Sequence, residues 1–122
     1  MTDIRVLIAE DQTLMRQGLR TILDLSDGFM VVGEAENGQQ AVDKFTELTP
    51  DVCTMDITMP EKDGIAALKE IMAAHPGARV IMCSALGQEA KVIESIRSGA
   101  KDFVVKPFQQ DRVLAALDKA LA

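Results

Sequence analysis

Reactive polar side chains stand directly after four short apolar runs of this sequence. The first run is followed by Glu10 and Asp11, and the others end at Asp56, Ser84 and Lys106. If these runs are parallel strands, their carboxyl ends meet at one edge of a sheet, where ligands bind in such folds. Three carboxylates, a hydroxyl and an ammonium would then lie together. This arrangement predicts a site for a divalent metal ion and a phosphoryl group.

Three neighbouring carboxylates need a compensating charge. Two like charges about 4 Å apart repel by about 4 kcal/mol at an effective dielectric constant near 20. Glu10, Asp11 and Asp56 therefore require a cation, or one of them must bind a proton. Oxygen ligands in a half-open pocket suit Mg²⁺, which keeps several waters and bridges to phosphate. Zinc and copper favour nitrogen or sulfur ligands, which this set lacks, so we expect Mg²⁺ as the cofactor.

Asp56 is the candidate nucleophile. A carboxylate beside Mg²⁺ and a lysine can attack phosphorus and form an aspartyl phosphate. The metal and Lys106 would stabilise charge on the equatorial oxygens, which is most of what phosphoryl transfer asks of a protein. Ser84 would donate a hydrogen bond to the product. It has no adjacent histidine to activate it, so it is a poor candidate for a hydrolase nucleophile.

Each of these residues also has an ordinary structural explanation. Glu10 and Asp11 could cap the first helix, because acidic residues are favoured at a helix N-terminus. Asp56 alone could be a turn residue, Lys106 a solvated surface residue and Ser84 an unremarkable strand end. The presence of all of them at one edge of a sheet favours a functional site.

Apolar runs of strand length alternate with amphipathic segments along the whole chain, and these elements must position the site. Strands are expected at residues 4–9, 29–34, 51–56, 78–84 and 101–105, and the first helix at 13–25. Helical stripes are formed by Met15, Leu19, Ile22 and Leu23; Ala41, Val42, Phe45 and Leu48; Ile65, Leu68, Ile71 and Met72; Val92, Ile93 and Ile96; and Val113, Leu114, Leu117 and Leu121. Gly99 is expected to end the fourth helix in a left-handed conformation. Because each parallel connection needs a crossover, the pattern predicts a doubly wound α/β fold in one domain, residues 1–122.

Composition narrows the function classes. The formal charge of −6 disfavours direct binding to nucleic acid or anionic membranes, since phosphates need Lys and Arg partners. No apolar stretch approaches the roughly 18–20 residues that cross a bilayer, and the N-terminus lacks the layout of a signal peptide, so a cytoplasmic location is expected. Cys53 and Cys83 are expected to be reduced core thiols. Core filling is also expected for Met15, Met30, Met55, Met72 and Met82.

The order of these motifs resembles the receiver domain of two-component response regulators. An acidic pair follows the first strand, Asp56 opens the segment Asp-Ile-Thr-Met-Pro, Ser84-Ala85 ends the fourth strand, and Lys106-Pro107 follows the fifth. The resemblance covers the whole chain. It implies a flavodoxin-like parallel sheet with strand order 2-1-3-4-5 and five helices.

The resemblance assigns the phosphoacceptor and the metal ligands. It implies that Asp56 accepts phosphate from a histidine kinase. Asp11, Asp56 and the backbone carbonyl of Thr58 would bind Mg²⁺ directly, and Glu10 would hold a metal-bound water. Many receivers have Asp at the position of Glu10, so the longer side chain is expected to shift the water shell.

The resemblance also assigns the phosphate-binding and switch residues. Lys106, Ser84 and the backbone amides of Thr58 and Ala85 would contact the phosphoryl group. Ser84 and Phe103 would form the switch, and partners would read the face formed by the fourth helix, the fifth strand and the fifth helix. Many receivers have Thr and Tyr where Ser84 and Phe103 stand, so a methyl and a phenol hydroxyl are missing here. The peptide bond between Lys106 and the following proline is expected to be cis.

Within the receiver family, the segment 80–108 looks especially like the free-standing chemotaxis regulators, and the chain ends directly after the fifth helical stripe. The implied partners are a histidine kinase of the CheA type and a flagellar switch protein of the FliM type or a phosphatase. The protein would be no enzyme beyond its own phosphorylation and dephosphorylation. A monomer is expected, with dimerisation on activation left open.

Three other functions share part of this sequence pattern. The first strand also resembles receivers attached to DNA-binding domains of the NarL type. A magnesium-dependent phosphatase of the haloacid-dehalogenase type also forms an aspartyl phosphate, but it needs a second aspartate where Thr58 stands. A flavodoxin-like FMN protein shares the topology, but Glu10 and Asp11 would repel the flavin phosphate and the chain has no Trp or Tyr to stack the ring.

Overall fold

The computed structural model describes residues 3–122, in which five strands alternate with five helices. The strands are β1 (Ile4–Ala9), β2 (Phe29–Ala35), β3 (Val52–Asp56), β4 (Val80–Ser84) and β5 (Asp102–Val105). The helices are α1 (Thr13–Asp24), α2 (Gly38–Leu48), α3 (Gly64–Ala74), α4 (Glu89–Arg97) and α5 (Gln110–Leu121). The last three strands begin one or two residues later than predicted, and the other boundaries of the strands lie equally close to prediction.

The strands form one parallel sheet in the order β2-β1-β3-β4-β5, which confirms the expected topology. The chain leaves β1 in one direction to reach β2 and then crosses to β3 on the other side. The register pairs Ala9 with Met55 and Asp56 with Cys83, so the carboxyl ends of β1, β3 and β4 are level. These ends border the crevice at which the strand order reverses, where doubly wound sheets bind ligands.

Helices cover both faces of the sheet and bury its central strands. Leu7 and Cys53 belong to a hydrophobic cluster that includes residues of α2 and α3, whereas Ile8 and Cys83 face the cluster that includes residues of α1 and α5. Successive side chains of a strand point to opposite faces, so burial on both sides explains the uninterrupted apolar runs. Both cysteines are buried free thiols, as predicted.

Three side chains that were predicted to fill the core are exposed instead. Met30 is 45% exposed, and Ile93 and Ile96 are 54% and 44% exposed. Met30 lies on an edge strand, which has fewer neighbours than a central strand. In α4, Ser95 is buried and Val92 packs against the core, so the helix presents a different side from the one that its isoleucines mark. The predicted buried stripe of α4 was therefore wrong at two of its three positions.

Local hydrogen bonds define the ends of several helices. The side chain of Asn37 accepts a hydrogen bond from Gln40 at the start of α2, and Asp63 does the same from Ala66 at the start of α3. Gly99 follows α4 with a φ of 114°, which confirms the predicted left-handed residue. Across residues 3–122, the helices are too short or too polar to cross a membrane.

Candidate phosphoacceptor and metal site

The carboxyl ends of β1 and β3 bring three carboxylates together. Glu10, Asp11 and Asp56 each offer an oxygen, and these oxygens lie within 4.8 Å of one another. Glu10 and Asp56 are 2% and 5% exposed, whereas Asp11 is exposed to solvent. Asp11 and Asp56 line an open cavity of about 460 Å³. The carboxylates that the sequence singled out therefore meet at one place, which solvent can reach.

Lys106 extends into this cluster from the end of β5. Its Nζ atom lies 2.5 Å from Glu10 Oε1 and 3.1 Å from Asp56 Oδ1. The lysine backbone N–H donates to the carbonyl oxygen of Ser84, and the bond to Pro107 is cis. When all three carboxylates are ionised, one ammonium leaves two negative charges uncompensated. An all-oxygen donor set with this charge fits a magnesium ion.

The electrostatic environment makes Asp56 unusual. Burial, together with the charge of Glu10, raises the pKa of Asp56 to about 7, although the Lys106 ammonium opposes this. Burial also acts to lower the pKa of Lys106, but its hydrogen bond to Glu10 and the charge of Asp56 outweigh burial and raise it. Lys106 therefore stays protonated. Asp56 is divided between its neutral and ionised forms near neutral pH, and an added cation would favour the ionised form.

Glu10 and Asp11 were also possible caps of the first helix, but neither residue is the N-cap of α1. Gln12 occupies the N-cap position, and the first turn of the helix contains no acidic residue. Glu10 Oε2 accepts a hydrogen bond from the Gln12 backbone N–H at 3.1 Å. One oxygen of Glu10 thus orders the entry to α1, while the other faces Lys106.

The groups predicted to bind phosphate divide between two neighbouring cavities. Thr58, Ala85 and Lys106 line the cavity that contains Asp56. Ser84 is buried and lines an adjacent groove, and its Oγ lies 3.5 Å from the carbonyl oxygen of Val104, which makes a long hydrogen bond. In this structure the serine hydroxyl is therefore engaged with β5.

The adjacent groove is apolar and has a volume of about 290 Å³. It lies between the start of α4 and β5. Its lining includes Ser84, Leu86, Ile93, Phe103 and Val105. Leu86 and Ile93 are exposed, and Phe103 is half-buried. The two residues predicted to form the switch thus share one groove beside the acidic cluster.

Arg16 supports the backbone of the candidate site, and the sequence did not predict this role. Its Nη1 donates to the backbone carbonyl of Glu10 at 2.8 Å, and its Nε lies 3.0 Å from Glu34 Oε1. It therefore fastens the backbone of the acidic pair to β2. The available signal was an arginine beside the apolar stripe of an amphipathic helix, which does not identify its partners.

Gln88 is a second missed contributor. Its Oε1 accepts a hydrogen bond from the Ala85 backbone N–H at 2.7 Å, and its Nε2 donates to Thr58 Oγ1 at 3.0 Å. Neither contact could be predicted from the sequence around Gln88. They depend on the loops after β3 and β4 lying side by side.

Two glycines permit the close packing behind the site. A Cβ atom at Gly64 would lie 1.9 Å from the carbonyl oxygen of Asp56, and one at Gly38 would lie 1.9 Å from the carbonyl oxygen of Lys62. The Gly64 N–H donates to the Ile57 carbonyl oxygen at 2.8 Å. The first residue of α3 is thus in direct contact with the backbone of the candidate acceptor.

Known proteins share this architecture and sequence. Residues 6–118 match the family described as the response regulator receiver domain. The chemotaxis protein CheY of Bacillus subtilis (strain 168) is 59% identical over 117 residues, covering 96% of this chain and 97% of that protein. The response regulator domain of Thermotoga maritima CheB is 43% identical, with a TM-score of 0.90 and coverage of 98% and 96%.

A complex supplies a further structural relative. A chain in the crystal structure of the CheX-CheY-BeF3-Mg+2 complex from Borrelia burgdorferi is 38% identical, with a TM-score of 0.93, covering 99% of this chain and 91% of that chain. The family match spans nearly the whole sequence and includes every residue of the acidic cluster. The chain belongs to the family of response regulator receiver domains.

Proposed function

We propose that this protein is a chemotaxis response regulator of the CheY type, in which Asp56 is the phosphoacceptor. The observation that carries the proposal is the convergence of Glu10, Asp11 and Asp56 within 4.8 Å, with Lys106 in contact with two of them. The identity of 59% to a chemotaxis protein, over 96% of this chain, supports this type over a NarL-type receiver. Thr58, two residues after the acceptor, disfavours the phosphatase alternative.

The acidic cluster is the proposed magnesium site. Asp11, Asp56 and the backbone carbonyl of Thr58 would hold the ion, and Glu10 would act through a metal-bound water. When bound, the ion neutralises charge on the carboxylates and on the phosphoryl oxygens. The buried Glu10 is also fixed by Gln12 and Lys106, so its carboxylate is held in place before any ion arrives.

Asp56 acts as the nucleophile in its ionised form. One of its carboxylate oxygens forms a bond to the phosphorus of a phosphohistidine, and the bond between phosphorus and the imidazole nitrogen breaks with its electron pair left on the imidazole. Lys106, with its raised pKa, stays charged and stabilises the transferred oxygens. The backbone amides of Thr58 and Ala85 donate further hydrogen bonds.

The phosphoryl group changes the protein through Ser84 and Phe103. The long bond from Ser84 to Val104 is easily exchanged for a charge-assisted bond to the phosphoryl group, worth about 1.5–3 kcal/mol. Reversing a 1:99 population requires about 5.5 kcal/mol, so Lys106 and the loop amides contribute as well. Movement of Ser84 allows the Phe103 ring to enter the shared groove, which alters the face of α4, β5 and α5.

The proposed function also implies the proteins with which this receiver interacts. A CheA-type histidine kinase supplies the phosphoryl group, and a FliM-type flagellar switch protein or a phosphatase reads or removes it. The protein's own catalysis is limited to phosphorylation from small donors and to dephosphorylation. It works in the cytoplasm as a monomer, without direct contact with nucleic acid.

Acetyl phosphate with Mg²⁺ tests this function. Wild-type protein should gain the mass of one phosphoryl group, measured on the intact protein, and Asp56→Asn should gain none. Asp118→Asn, a change at an exposed carboxylate on α5, is the matched control and should behave as wild type. Modification that persists in Asp56→Asn would exclude Asp56 as the acceptor.

A further inference from the structure

We propose that the Gln88 side chain is an inhibitory latch: before phosphorylation it occupies the backbone amide of Ala85, and it must leave that amide when a phosphoryl group forms on Asp56. The inference rests on the proposed function of Asp56 as the phosphoacceptor. It adds a residue, outside the acidic cluster, that opposes activation.

The latch consists of two hydrogen bonds across the mouth of the site. Gln88 Oε1 accepts from Ala85 N at 2.7 Å, and Gln88 Nε2 donates to Thr58 Oγ1 at 3.0 Å. Thr58 lies after β3 and Ala85 after β4, so one side chain joins the loops that follow two adjacent strands. A carboxamide suits this position because it offers an acceptor and a donor at its two ends.

Competition follows from the chemistry of the Ala85 amide. A backbone amide has a single hydrogen to donate, and here it is directed at Gln88. A phosphoryl oxygen is the stronger acceptor because it is charged. The Ala85 amide therefore exchanges its hydrogen bond to Gln88 for one to the phosphoryl group. The free energy gained from the new hydrogen bond is reduced by the loss of the old one. Gln88 thus weakens the contribution of Ala85 to the active state.

The position of Gln88 connects this exchange to the apolar groove. Gln88 and Ala85 line both the cavity that contains Asp56 and the groove that contains Phe103. Gln88 also occupies the N-cap of α4, although its side chain makes no capping hydrogen bond to that helix. Release of the side chain therefore changes a wall of the groove at the residue from which α4 begins.

The test measures beryllofluoride binding in saturating Mg²⁺, by following bound and free populations in NMR spectra. Gln88→Met removes both hydrogen bonds at similar side-chain size, and Gln88→Ala repeats the test without a long side chain. Gln39→Met is the matched control, because it removes a hydrogen bond to Asp43 on the exposed surface of α2. We expect both Gln88 variants to bind about three- to tenfold more tightly, equivalent to about 0.7–1.4 kcal/mol, and the control to match wild type.

Hydrogen exchange at the Ala85 amide gives a second readout. The amide should be protected in free wild-type protein, unprotected in the free Gln88 variants, and protected in all of them with beryllofluoride. Unchanged or weaker beryllofluoride binding by the Gln88 variants would overturn the latch alone. Failure of wild-type protein to bind beryllofluoride at Asp56 would instead overturn the phosphoacceptor proposal, and the latch with it.

Discussion

The Nζ atom of Lys106 lies 2.5 Å from Glu10 Oε1, an ion pair that joins the loop after β1 to the loop after β5 across the candidate site. The glutamate is almost fully buried. Such a pair adds little net stability while it is intact, but removing one partner leaves a buried charge without compensation. Lys106 therefore compensates the buried charge of Glu10 in the metal-free protein, in addition to its proposed contact with the phosphoryl group.

Lys106→Met should separate these two roles. In metal-free protein at alkaline pH, the variant should lose up to about 3–5 kcal/mol of unfolding free energy, because Glu10 and Asp56 lose their shared cation. Mg²⁺ should restore more stability to the variant than to wild type, whereas beryllofluoride should bind it more weakly. Denaturant unfolding with and without Mg²⁺ measures the first effect. Lys101→Met, at an exposed lysine, is the control, and equal stabilisation of both variants by Mg²⁺ would contradict the prediction.

Asp56 should make metal-free stability depend on pH. Its pKa is raised from 3.8 to about 7, so the folded protein holds this proton more tightly than the unfolded chain does. The resulting contribution is fully present below the unfolded pKa and is lost as pH rises through the folded pKa. Asp56→Asn should therefore be more stable than wild type above neutral pH. The increase in unfolding free energy should not exceed about 4 kcal/mol, which is the free energy equivalent of this pKa shift.

The difference between Asp56→Asn and wild type is the quantity to measure, by denaturant unfolding over a pH series with a chelator present. It should grow from acidic to neutral pH and shrink when Mg²⁺ is added, since the ion favours the ionised carboxylate. Asp118→Asn should show no such growth. If the difference between Asp56→Asn and wild type did not depend on pH, the Asp56 carboxyl group of the wild-type protein would have an ordinary pKa.

Phe103→Ala should uncouple phosphorylation from output. The ring lines the apolar groove but lies apart from the acidic cluster, so beryllofluoride should still bind. Phosphorylation-dependent binding to a flagellar switch protein should be lost, as measured in a binding titration with and without beryllofluoride. Phe29→Ala, on edge strand β2, controls for the loss of a half-buried ring. Retained phosphate-dependent binding by Phe103→Ala would remove the ring from the mechanism.

Arg112 should stabilise the start of β5 in a pH-dependent way. Its Nη2 donates to the Phe103 carbonyl oxygen at 2.7 Å, and its Nη1 lies 3.4 Å from Asp102 Oδ2. Burial acts to raise the pKa of Asp102, but hydrogen bonds from Arg112 and from the Phe103 N–H outweigh it and lower the pKa. This contribution is present above the unfolded pKa of 3.8 and is lost as pH falls through the folded pKa.

Arg112→Met should therefore cost about 1–2 kcal/mol near neutral pH and less in strong acid. Urea unfolding at both conditions measures the difference. Arg97→Met, at an exposed arginine in the last turn of α4, should change stability little at either pH. An equal loss for Arg112→Met at both conditions would separate its effect from Asp102.

The sequence predicted the fold and most of the acidic site because both follow from where apolar runs end. Asp56 and Lys106 each close such a run, and parallel topology then places their strand ends at one edge of the sheet. No long-range detail is needed for that inference. The same argument located Glu10 and Ser84, and the order of all four motifs identified the family.

Other features depend on the relative positions of segments that the sequence does not align. Gln88 contacts Thr58, which is 30 residues away in the chain, only because two loops lie side by side. Met30 and Ile93 are apolar residues in regular elements, yet their exposure depends on which neighbours cover an edge strand and the fourth helix. A pattern of apolar residues predicts which side of a helix or strand would gain from burial. It does not identify the neighbouring elements that would cover that side.

The contact between Gly64 and the carbonyl of Asp56 has a consequence for anyone who diversifies this protein. Even an alanine at position 64 would have to displace the main chain that carries the acceptor. A saturation library at positions 64 and 38 should therefore return almost only the parental amino acid after selection for signalling. Positions 18 and 77, where a methyl group would meet no atom within 4 Å, are the glycines at which an engineer has freedom to introduce labels or cross-links.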